Sequence, residues 1–545
     1  MGLRTWPLAA VILLIGPRVA AQDLVLRNVH VWSGTAEPWP DDEVVVIDGR
    51  IAAPGTQPPE SAPIVDLRGA FLLPGWQDAH AHLEGLGKAL HDVDLTGTRS
   101  YAEVIERVKA RAAKAPTGSW IQGRGWDQND WADTAFPQHQ ALSAAVPDHP
   151  VWLTRVDGHA ALANARAMEL AGVGKETVEP KGGRIHRAAD GNPTGVFVDG
   201  AMALVGGLIP DASPAESREQ LLAAQEECLR RGLTCVHDAG TDPAVIAVLR
   251  QLLVEHRWSL RVYAMLPASA QAAIDEGPWQ TPDGVLVVRA VKAYADGALG
   301  SRGAALLEPY ADEPSRKGFL TTPPEQLVRI ARTCVDRGFQ LCVHAIGDAG
   351  NRAVLDSFQA AVDKERRAAL RFRIEHAQVV HPEDFARFRE LGVIPSVQPT
   401  HMTSDMPWAP ARLGPKRVEG AYAWTRFLGL GLHLPLGTDF PVEAVDPRLT
   451  LFVACTTRAP DGSGPKEGFR PQGVLDRQTA LRGMTADAAF ASFAERDLGV
   501  VATGMRADFT IFDRDLVHCD AGEILGAKVI ATVIGGRVAF RAEGK

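Results

Sequence analysis

Short alternating runs of apolar and polar residues dominate both ends of the chain. LVLRNVHVW, EVVVIDGRIAAPG and APIVDLRGAFLLPG near the N terminus are each closed by Gly, Pro or Asp, which is typical of β-strands joined by turns. A similar pattern returns near the C terminus in ADFTIFDRD and VIATVIGGRVAFRAEG. The two ends therefore predict one small β-sandwich domain, built from residues 22–74 and 490–545.

The middle of the chain alternates β-rich apolar runs with helical patterns, as a parallel sheet with crossover helices requires. Two helical patterns lead into strands through Gly232 and Gly338, the expected helix stops. We predict an α/β fold, a (β/α)8 TIM-like barrel over residues 75–489. The clearest predicted strands are 233–238, 260–265, 285–294, 340–345, 371–376, 393–398 and 432–438.

Residues 100–230 interrupt this alternation. The stretch is rich in Trp, Gly and Asp, as in GRGWDQNDWADTAFP and GGRIHRAADGNPTGVF, and lacks the regular helix and strand periods on either side. We predict that it is a lid or cap inserted into the barrel. Trp126 lies within it, and we expect this side chain to form part of an apolar wall for substrate.

Composition fits an ordinary globular protein and narrows the class of partner. The 545 residues are 46% apolar and 23% charged, which excludes a disordered or fibrous chain. The net charge of −9 argues against nucleic acid as the main partner, because phosphate binding needs a basic surface. We expect a small-molecule substrate, and the sequence leaves a homo-oligomer open.

The first residues predict export. Arg4 precedes an apolar run that ends at Gly16-Pro17, and small residues follow up to Ala21. We predict a signal peptide over residues 1–21, cleaved after Ala21, and a mature protein in the periplasm or outside the cell. The apolar run is far shorter than the roughly 20 residues that span a bilayer, so we expect no stable membrane anchor after cleavage.

Six cysteines gain interest from predicted export, because disulfides persist outside the cytoplasm. Cys228, Cys235, Cys334 and Cys342 fall in helical or strand patterns where small buried thiols are common. Cys455 and Cys519 are isolated in the sequence. We therefore predict free thiols rather than a disulfide framework.

The sharpest chemical signal is PGWQDAHAHLE at residues 74–84. A strand places alternate side chains on one face, so His80 and His82 point the same way and can bind one metal ion, with Asp78 in the same row. The segment ends the first apolar run after the terminal β domain. In an α/β barrel such a strand end lines the active site.

Four more residues fit a metal site at the same end of the barrel. His344, His376 and Asp439 each stand at the end of a predicted strand. Lys292 lies inside the apolar strand VVRAVKAY, where an ordinary lysine is costly to bury unless it is paired or modified. A carboxylated lysine would supply an anionic bridge between two metal ions. His237 and His401 are candidates of second rank near the same strand ends.

Together these motifs resemble the metal-dependent amidohydrolase superfamily, in the amidohydrolase family 3 branch that includes N-substituted formamide deformylases. The similarity covers essentially the whole chain after the predicted signal peptide. The motifs that carry it are, in order, DAHAH, VKAYADGALGSRGAAL, HAIGDAGN, EHAQ, SVQPTHMTSD and GTDFPVEAVDP.

The resemblance implies a role for each metal-site candidate. His80 and His82 would bind a first divalent ion, and His344 and His376 a second. Carboxylated Lys292 would bridge them. Two zinc ions per chain are expected, with a one-metal site as the alternative. Asp439 would contact the metal and act as the catalytic base that moves the proton.

Further residues are expected to contact the substrate. His159 and Asn164 in VDGHAALAN match a family motif in the insertion. Arg302, just past Lys292, is expected to bind a substrate carboxylate, with an internal Asp296–Arg302 ion pair as the alternative.

The implied activity is hydrolysis of an amide-like C–N bond, N-formyl or N-acyl, by a metal-activated hydroxide. A cyclic amidase, a deaminase or a lactonase would use the same apparatus, because the fold does not select the substrate. A metal-binding or regulatory protein without turnover is a third hypothesis from a different class.

Overall fold

The computed structural model describes residues 22–128, 131–155, 160–180, 183–210, 212–300 and 302–543. The predicted signal peptide and His159 lie outside these ranges. The chain divides into two compact units, one of residues 84–224 and one made from the chain on either side. The helices Leu83–His91 and Pro214–Arg230 each contain one of the two boundaries.

Both ends of the chain contribute to one sheet, as the sequence predicts. Among the described residues it has seven strands, and Leu24–Val31 and Ile64–Pro74 pair in parallel at its centre. Its apolar core includes Leu26, Val44 and Ile511. In spatial order the strands are Arg537–Arg541, Val529–Ile534, Phe509–Phe512, Ile64–Pro74, Leu24–Val31, Glu43–Ile47 and Arg50–Ile51.

A parallel, nearly closed barrel sheet follows, and we number its strands in chain order. Each strand pairs in parallel with the next, with nearly all of its side chains buried. The short strand Trp279–Gln280 pairs antiparallel with the first half of the internal strand Leu286–Tyr294. The barrel strands are β1 (Trp76–Ala81), β2 (Leu233–Ala239), β3 (Arg261–Pro267), β4 (Leu286–Tyr294), β5 (Gln340–Ala345), β6 (Arg373–His376) and β7 (Ile394–Ser396).

Residues 434–438 bridge the gap between β7 and β1. Gly437 N donates to Val397 O, and Ala79 N donates to Leu436 O. The sequence predicts a strand at 432–438, but a regular ladder does not form here and Leu436 makes an isolated bridge to Val397. Pro435 lacks the N–H that a central strand needs, which explains the difference. We call residues 434–438 the closing segment.

Helices surround the barrel strands in the same unit. The helix Pro324–Arg337 ends at Gly338, whose φ of 81° is the left-handed conformation expected of a helix stop. The described helices of this unit are Pro243–Val254, Gln271–Glu276, Pro324–Arg337, Asp348–Ala361, Arg367–Leu370, Phe385–Leu391, Pro399–Asp405, Ala409–Arg417, Trp424–Gly429, Pro447–Thr456, Arg477–Gly483, Ala486–Ala491 and Ala521–Ile524.

The unit of residues 84–224 has its own mixed sheet and apolar core. Its strands in spatial order are Gly183–Arg187, Pro193–Asp199, Ala160–Ala163, Val151–Arg155, Ile121–Trp126 and Val93–Asp94, and its helices are Tyr101–Ala112, His139–Ala145, Ala165–Leu170 and Ala203–Gly206. It overlaps most of the insertion predicted at 100–230. A lid function for it stays a prediction.

The structure also bears on the predicted free thiols and on membrane-spanning segments. All six cysteines are described, and each is a free thiol, as predicted. Within the described ranges, no helix carries an apolar stretch long enough to cross a membrane.

Candidate metal centre

The six predicted metal ligands lie at the carboxyl ends of the barrel strands. His80 is in β1, Lys292 in β4, and His344 and His376 are in β5 and β6. His82 follows β1 directly, and Asp439 follows the closing segment. Parallel strands bring these ends to one edge of a barrel, which is where such folds place their active sites.

His80 is fully buried, and both of its ring nitrogens have defined surroundings. Nδ1 lies 2.5 Å from Glu375 Oε2, and Nε2 lies 3.6 Å from Asp439 Oδ1. An ionised carboxylate only accepts hydrogen bonds, so Nδ1 carries the proton and Nε2 keeps its lone pair. Burial lowers the pKa of His80 to about 4, which keeps the ring neutral at pH 7.

His376 and His344 are also neutral imidazoles, but their rings lie beside uncharged hydrogen-bond acceptors. His376 Nδ1 lies 2.7 Å from Gln398 Oε1, and His344 donates to the Gly297 carbonyl. His344 Nε2 is buried and has no hydrogen-bond partner among the described residues. Burial lowers the pKa of His344 to about 3 and holds that of His376 well below its ordinary value. Both rings are therefore neutral, as metal ligation requires.

Asp439 is the point on which the imidazoles converge. Its Oδ1 lies 3.1 Å from His82 Nε2, and its Oδ2 lies 3.5 Å from His401 Nε2. Burial acts to raise the pKa of Asp439, but the His82 hydrogen bond and the neighbouring imidazoles outweigh it and hold the pKa well below its usual range. Asp439 is thus a carboxylate at neutral pH.

The donor set fits a divalent metal ion. Ligand atoms of the buried residues His80, His376 and Asp439 all lie within 4.8 Å of one another. Nitrogen and oxygen donors of this kind suit zinc and similar ions. His344 Nε2 has no hydrogen-bond partner among the described residues, and its nearest carboxylate oxygen is Asp296 Oδ1 at 3.7 Å. Its ring lies 4.5 Å from that of His376, so this nitrogen is a further candidate ligand atom beside them.

Lys292 is 2% exposed, as its place in an apolar strand predicts. Its Nζ lies 3.2 Å from His80 Nε2 and 4.9 Å from the centre of the Tyr294 ring. Burial lowers the pKa of Lys292, since a charged ammonium is poorly solvated there.

Three further buried side chains at the centre, Arg373, Glu375 and Gln398, were not identified from the sequence. Arg373 and Glu375 are fully buried on β6 and form an ion pair, and Gln398 orients His376. Lys292 was identified because it is a charged residue in an apolar strand. The same criterion would have identified Arg373 and Glu375. His401 joins the cluster through Asp439, whereas His237 lies on β2 and contacts Arg373.

The predicted substrate contacts in the insertion have structural partners. Trp126 is 1% exposed in the core of its unit, and its indole N–H donates to Leu153 O. Asn164 caps the helix Ala165–Leu170, and its amide also bonds to the backbone of Val146 and His149. A substrate contact by either residue stays a prediction.

Arg302 lies in the barrel unit and pairs with acidic residues of its own loop. Its guanidinium bonds to Asp312 at 2.9 Å and approaches Glu313 at 3.3 Å. Asp296 instead accepts backbone N–H groups of Ala305, Ile346 and Gly347. The alternative of an internal Asp296–Arg302 ion pair is therefore wrong. A substrate carboxylate on Arg302 stays a prediction.

Known proteins resemble this chain in sequence over most of its length. Residues 63–540 match the sequence model of the amidohydrolase family. The chain is 31% identical to Protein LONG AFTER FAR-RED 3 of Arabidopsis thaliana, covering 96% of this chain and 92% of that protein. It is 25% identical to the N-substituted formamide deformylase of Arthrobacter pascens, covering 96% and 99%.

A solved structure extends the comparison to three dimensions. A metal-dependent hydrolase from Pyrococcus horikoshii has a TM-score of 0.78 and 28% sequence identity, over 92% of this chain and 99% of that one. The fold and the convergence of His80, His376 and Asp439 agree with the resemblance drawn from the sequence. The chain belongs to the amidohydrolase family of metal-dependent hydrolases.

Proposed function

We propose that this chain is an exported hydrolase that cleaves an amide-like C–N bond of a small molecule, with N-formyl or N-acyl amines as the substrate class. The observation that carries the proposal is the convergence of His80, His376 and Asp439 within 4.8 Å at the barrel end. The similarity to an N-substituted formamide deformylase over nearly the full length of both chains supports the choice of bond.

The proposed cofactor is a pair of zinc ions. His80 and His82 would hold one ion, His344 and His376 the other, and carboxylated Lys292 would lie between them. Carboxylation requires a neutral amine, and burial of Lys292 lowers its pKa in that direction. A one-metal site remains the alternative. Metal analysis of the purified protein measures the stoichiometry, and mass spectrometry of the native protein measures the added CO2.

The chain's own residues would position the reaction. A divalent ion bound here supplies hydroxide near neutral pH and polarises the substrate carbonyl. Asp439 is held as a carboxylate by its imidazole neighbours, so it can accept the proton of the attacking water. The same oxygen can then return that proton to the leaving amine.

A substrate panel tests the reaction class. Purified zinc-loaded protein is incubated with N-formyl amines, N-acyl amino acids, dipeptides, cyclic amides, lactones and aminopurines. Release of a free amine from the first two classes supports the proposal. Turnover of only cyclic amides, lactones or aminopurines assigns the chain to the corresponding alternative. Stoichiometric metal with no turnover of any class favours a binding or regulatory protein.

Export has a separate test. The full-length chain, produced in a Gram-negative host, is expected in the periplasm with Gln22 as its first residue. N-terminal sequencing of the purified protein locates the cleavage site. An intact Met1 on protein from the cytoplasm would contradict export and leave the proposed chemistry untouched.

A further inference from the structure

Two oppositely charged side chains lie fully buried beneath the metal centre. Arg373 and Glu375 are both 0% exposed and stand two residues apart on β6, so they share a face of the strand. Arg373 Nε donates to Glu375 Oε1 at 2.7 Å, and Arg373 Nη2 donates to Oε2 at 2.9 Å. The pair is bidentate, the geometry that fixes a carboxylate most firmly.

Glu375 makes its third contact with a metal-site histidine. Its Oε2 accepts the Nδ1 proton of His80 at 2.5 Å. Both carboxylate oxygens are thus occupied by protein donors, and Glu375 is not itself placed as a metal ligand. Its effect on the centre passes through His80, whose Nε2 lies on the opposite side of the ring.

The acceptor behind His80 differs from those behind the neighbouring histidines. His376 donates to the neutral amide of Gln398, and His344 donates to a backbone carbonyl. Among these three rings, only His80 has a carboxylate within hydrogen-bond distance, since Asp296 Oδ1 lies 3.7 Å from His344 Nε2. A carboxylate that accepts from one ring nitrogen makes the other nitrogen a stronger donor to a metal ion.

Arg373 is fixed by three further parts of the barrel. Its guanidinium donates to Ala79 O on β1 at 2.6 Å, to Ser396 Oγ on β7 at 2.9 Å and to His237 Nδ1 on β2 at 3.0 Å. These bonds set the position of Glu375 relative to His80. A buried ion pair is poor evidence for stability, because desolvation of the charges offsets their attraction. A role in the site is the better physical explanation for this one.

We propose that Glu375, held in place by Arg373, is a positioning residue that keeps the proton of His80 on Nδ1 and strengthens Nε2 as a ligand for the metal ion. This inference rests on the proposed metal-dependent function. It predicts that the Glu375 charge controls metal affinity, separately from the stability of the barrel.

A second buried ion pair in the same unit provides the matched control. Arg261 on β3 and Asp508 are each 4% exposed in their side chains and are joined by two hydrogen bonds of 2.6 and 3.0 Å, but neither contacts the metal-site histidines. Glu375→Gln and Asp508→Asn therefore each replace a carboxylate that is paired with a buried arginine by a neutral amide. The two variants differ in whether His80 loses its anionic acceptor.

The test measures three quantities for wild type and both variants. These are the Zn²⁺ dissociation constant by competition with a chelator, the visible absorption spectrum of the Co²⁺-loaded protein, and the Tm of the metal-free protein. We expect Glu375→Gln to weaken Zn²⁺ binding about 10–100-fold and to shift the Co²⁺ spectrum. Asp508→Asn is expected to lower the Tm and leave affinity and spectrum as in wild type.

If Glu375→Gln does not fold, the same measurements are made on the double variant Arg373→Met with Glu375→Gln, which removes both buried charges together. It is expected to fold and still to bind Zn²⁺ weakly. Wild-type affinity in either folded variant, or an equal loss of affinity in Asp508→Asn, would overturn the inference while the proposed function stands. Absence of metal binding by the wild type would instead overturn the proposed function.

Discussion

At the scale of single residues, two of the candidate ligands have an unusual backbone. His376 has a φ of 73° and Asp439 a φ of 64°, in the left-handed region that most side chains avoid. Such strain persists where the surrounding structure over-determines it, and it concentrates at functional sites. Asn tolerates this conformation better than most residues, which makes Asp439→Asn a mild change for the fold.

Asp439→Asn is expected to lower kcat by roughly 10²–10⁴-fold, because the amide cannot accept the proton of the attacking water. Steady-state kinetics on the substrate identified by the panel measure the loss, and circular dichroism checks the fold. Asp461→Asn, in an exposed loop, is the control and should retain full activity. Activity of Asp439→Asn within a few-fold of wild type would remove Asp439 as the base.

Gly437 lies where the closing segment approaches the backbone of β1 closely. A Cβ there would lie 2.6 Å from His80 N and 2.8 Å from Asp78 Oδ1. We expect Gly437→Ala to cost about 1–3 kcal/mol of unfolding free energy and to weaken metal binding. Gly429→Ala, where nothing lies within 4 Å, should stay within about 1 kcal/mol of wild type. Urea midpoints of the two variants make the comparison, and equal midpoints would contradict it.

The sequence indicates a buried charge where the chemistry of a side chain conflicts with its apolar surroundings. Lys292 in an apolar strand is one case, and the structure buries it beside His80. The same conflict marks Glu375, but its partner His80 lies 295 residues away along the chain. A sequence shows that a buried charge needs a partner, and only the barrel register shows which residue that partner is.

At the scale of elements, hydrogen bonds join β1 to the closing segment and to Asp439 just after it, and we call this contact the seam. The seam fixes the relative positions of His80 and Asp439. Asp78 accepts hydrogen bonds from Thr438 N at 3.0 Å and from Thr438 Oγ1 at 2.6 Å. Asp439 N donates to His80 O on the same seam. The pairing of β1 with β2 shifts register between Asp78 and Ala81, which interrupts the strict alternation predicted for Asp78, His80 and His82. The Asp78 carboxylate instead bonds to the closing segment. Through it, the element that carries Asp439 is fixed to the element that carries His80.

Thr438→Val keeps the shape of the side chain and removes the hydroxyl that donates to Asp78. Asp78 Oδ2 then loses its hydrogen-bond donor while Oδ1 keeps the backbone donors Thr438 N and His80 N, and we expect a loss of about 1–3 kcal/mol in unfolding free energy. Thr438→Ser restores the hydroxyl and should recover most of the loss. Urea unfolding followed by tryptophan fluorescence measures both variants. A Thr438→Val midpoint equal to that of wild type would show that the seam bond contributes nothing to stability.

Elements with a strong apolar period could be placed from the sequence. The predicted strand 285–294 is observed as Leu286–Tyr294, and 340–345 is observed as Gln340–Ala345. The apolar pattern of LHLPLGT predicts a regular strand, but the closing segment forms only an isolated bridge, because Pro435 interrupts its hydrogen-bond ladder. Its pairing depends on closure of the barrel, which is a long-range event.

At the scale of the whole molecule, metal binding is expected to stabilise the barrel unit as well as to enable turnover. The ligands come from separate strands, so an ion that binds only the folded chain links them. At a free metal concentration 100 times the dissociation constant, the gain is about 2.7 kcal/mol. Removal of metal by a chelator should therefore lower the Tm and abolish activity, and added Zn²⁺ should restore both.

His80→Ala is the control for this effect. Scanning calorimetry of this variant is expected to show a smaller chelator-dependent shift in Tm than wild type, because one ligand of the first ion has been lost. A chelator-dependent shift in the variant equal to that of wild type would place the stabilising ion elsewhere.

The large-scale organisation was partly accessible from the sequence. Strand-like patterns at both ends predicted a composite sheet, which the structure has. The insertion was placed at 100–230, whereas the compact unit covers residues 84–224. Each boundary falls inside a helix, Leu83–His91 or Pro214–Arg230, where no change of composition or period marks it. A unit boundary inside a continuous helix leaves no sign in the sequence, because it depends on how the two parts of the helix pack.

The seam also constrains the order in which the molecule can become active during synthesis. His80 emerges early from the ribosome, whereas Asp439 and the closing segment follow some 350 residues later, and the terminal sheet is complete only at Arg541. Contacts between distant parts of a chain form slowly, because a long loop must close before they contribute. A nascent chain that stops before residue 439 therefore lacks the proposed base Asp439, and the proposed activity would arise only late in synthesis.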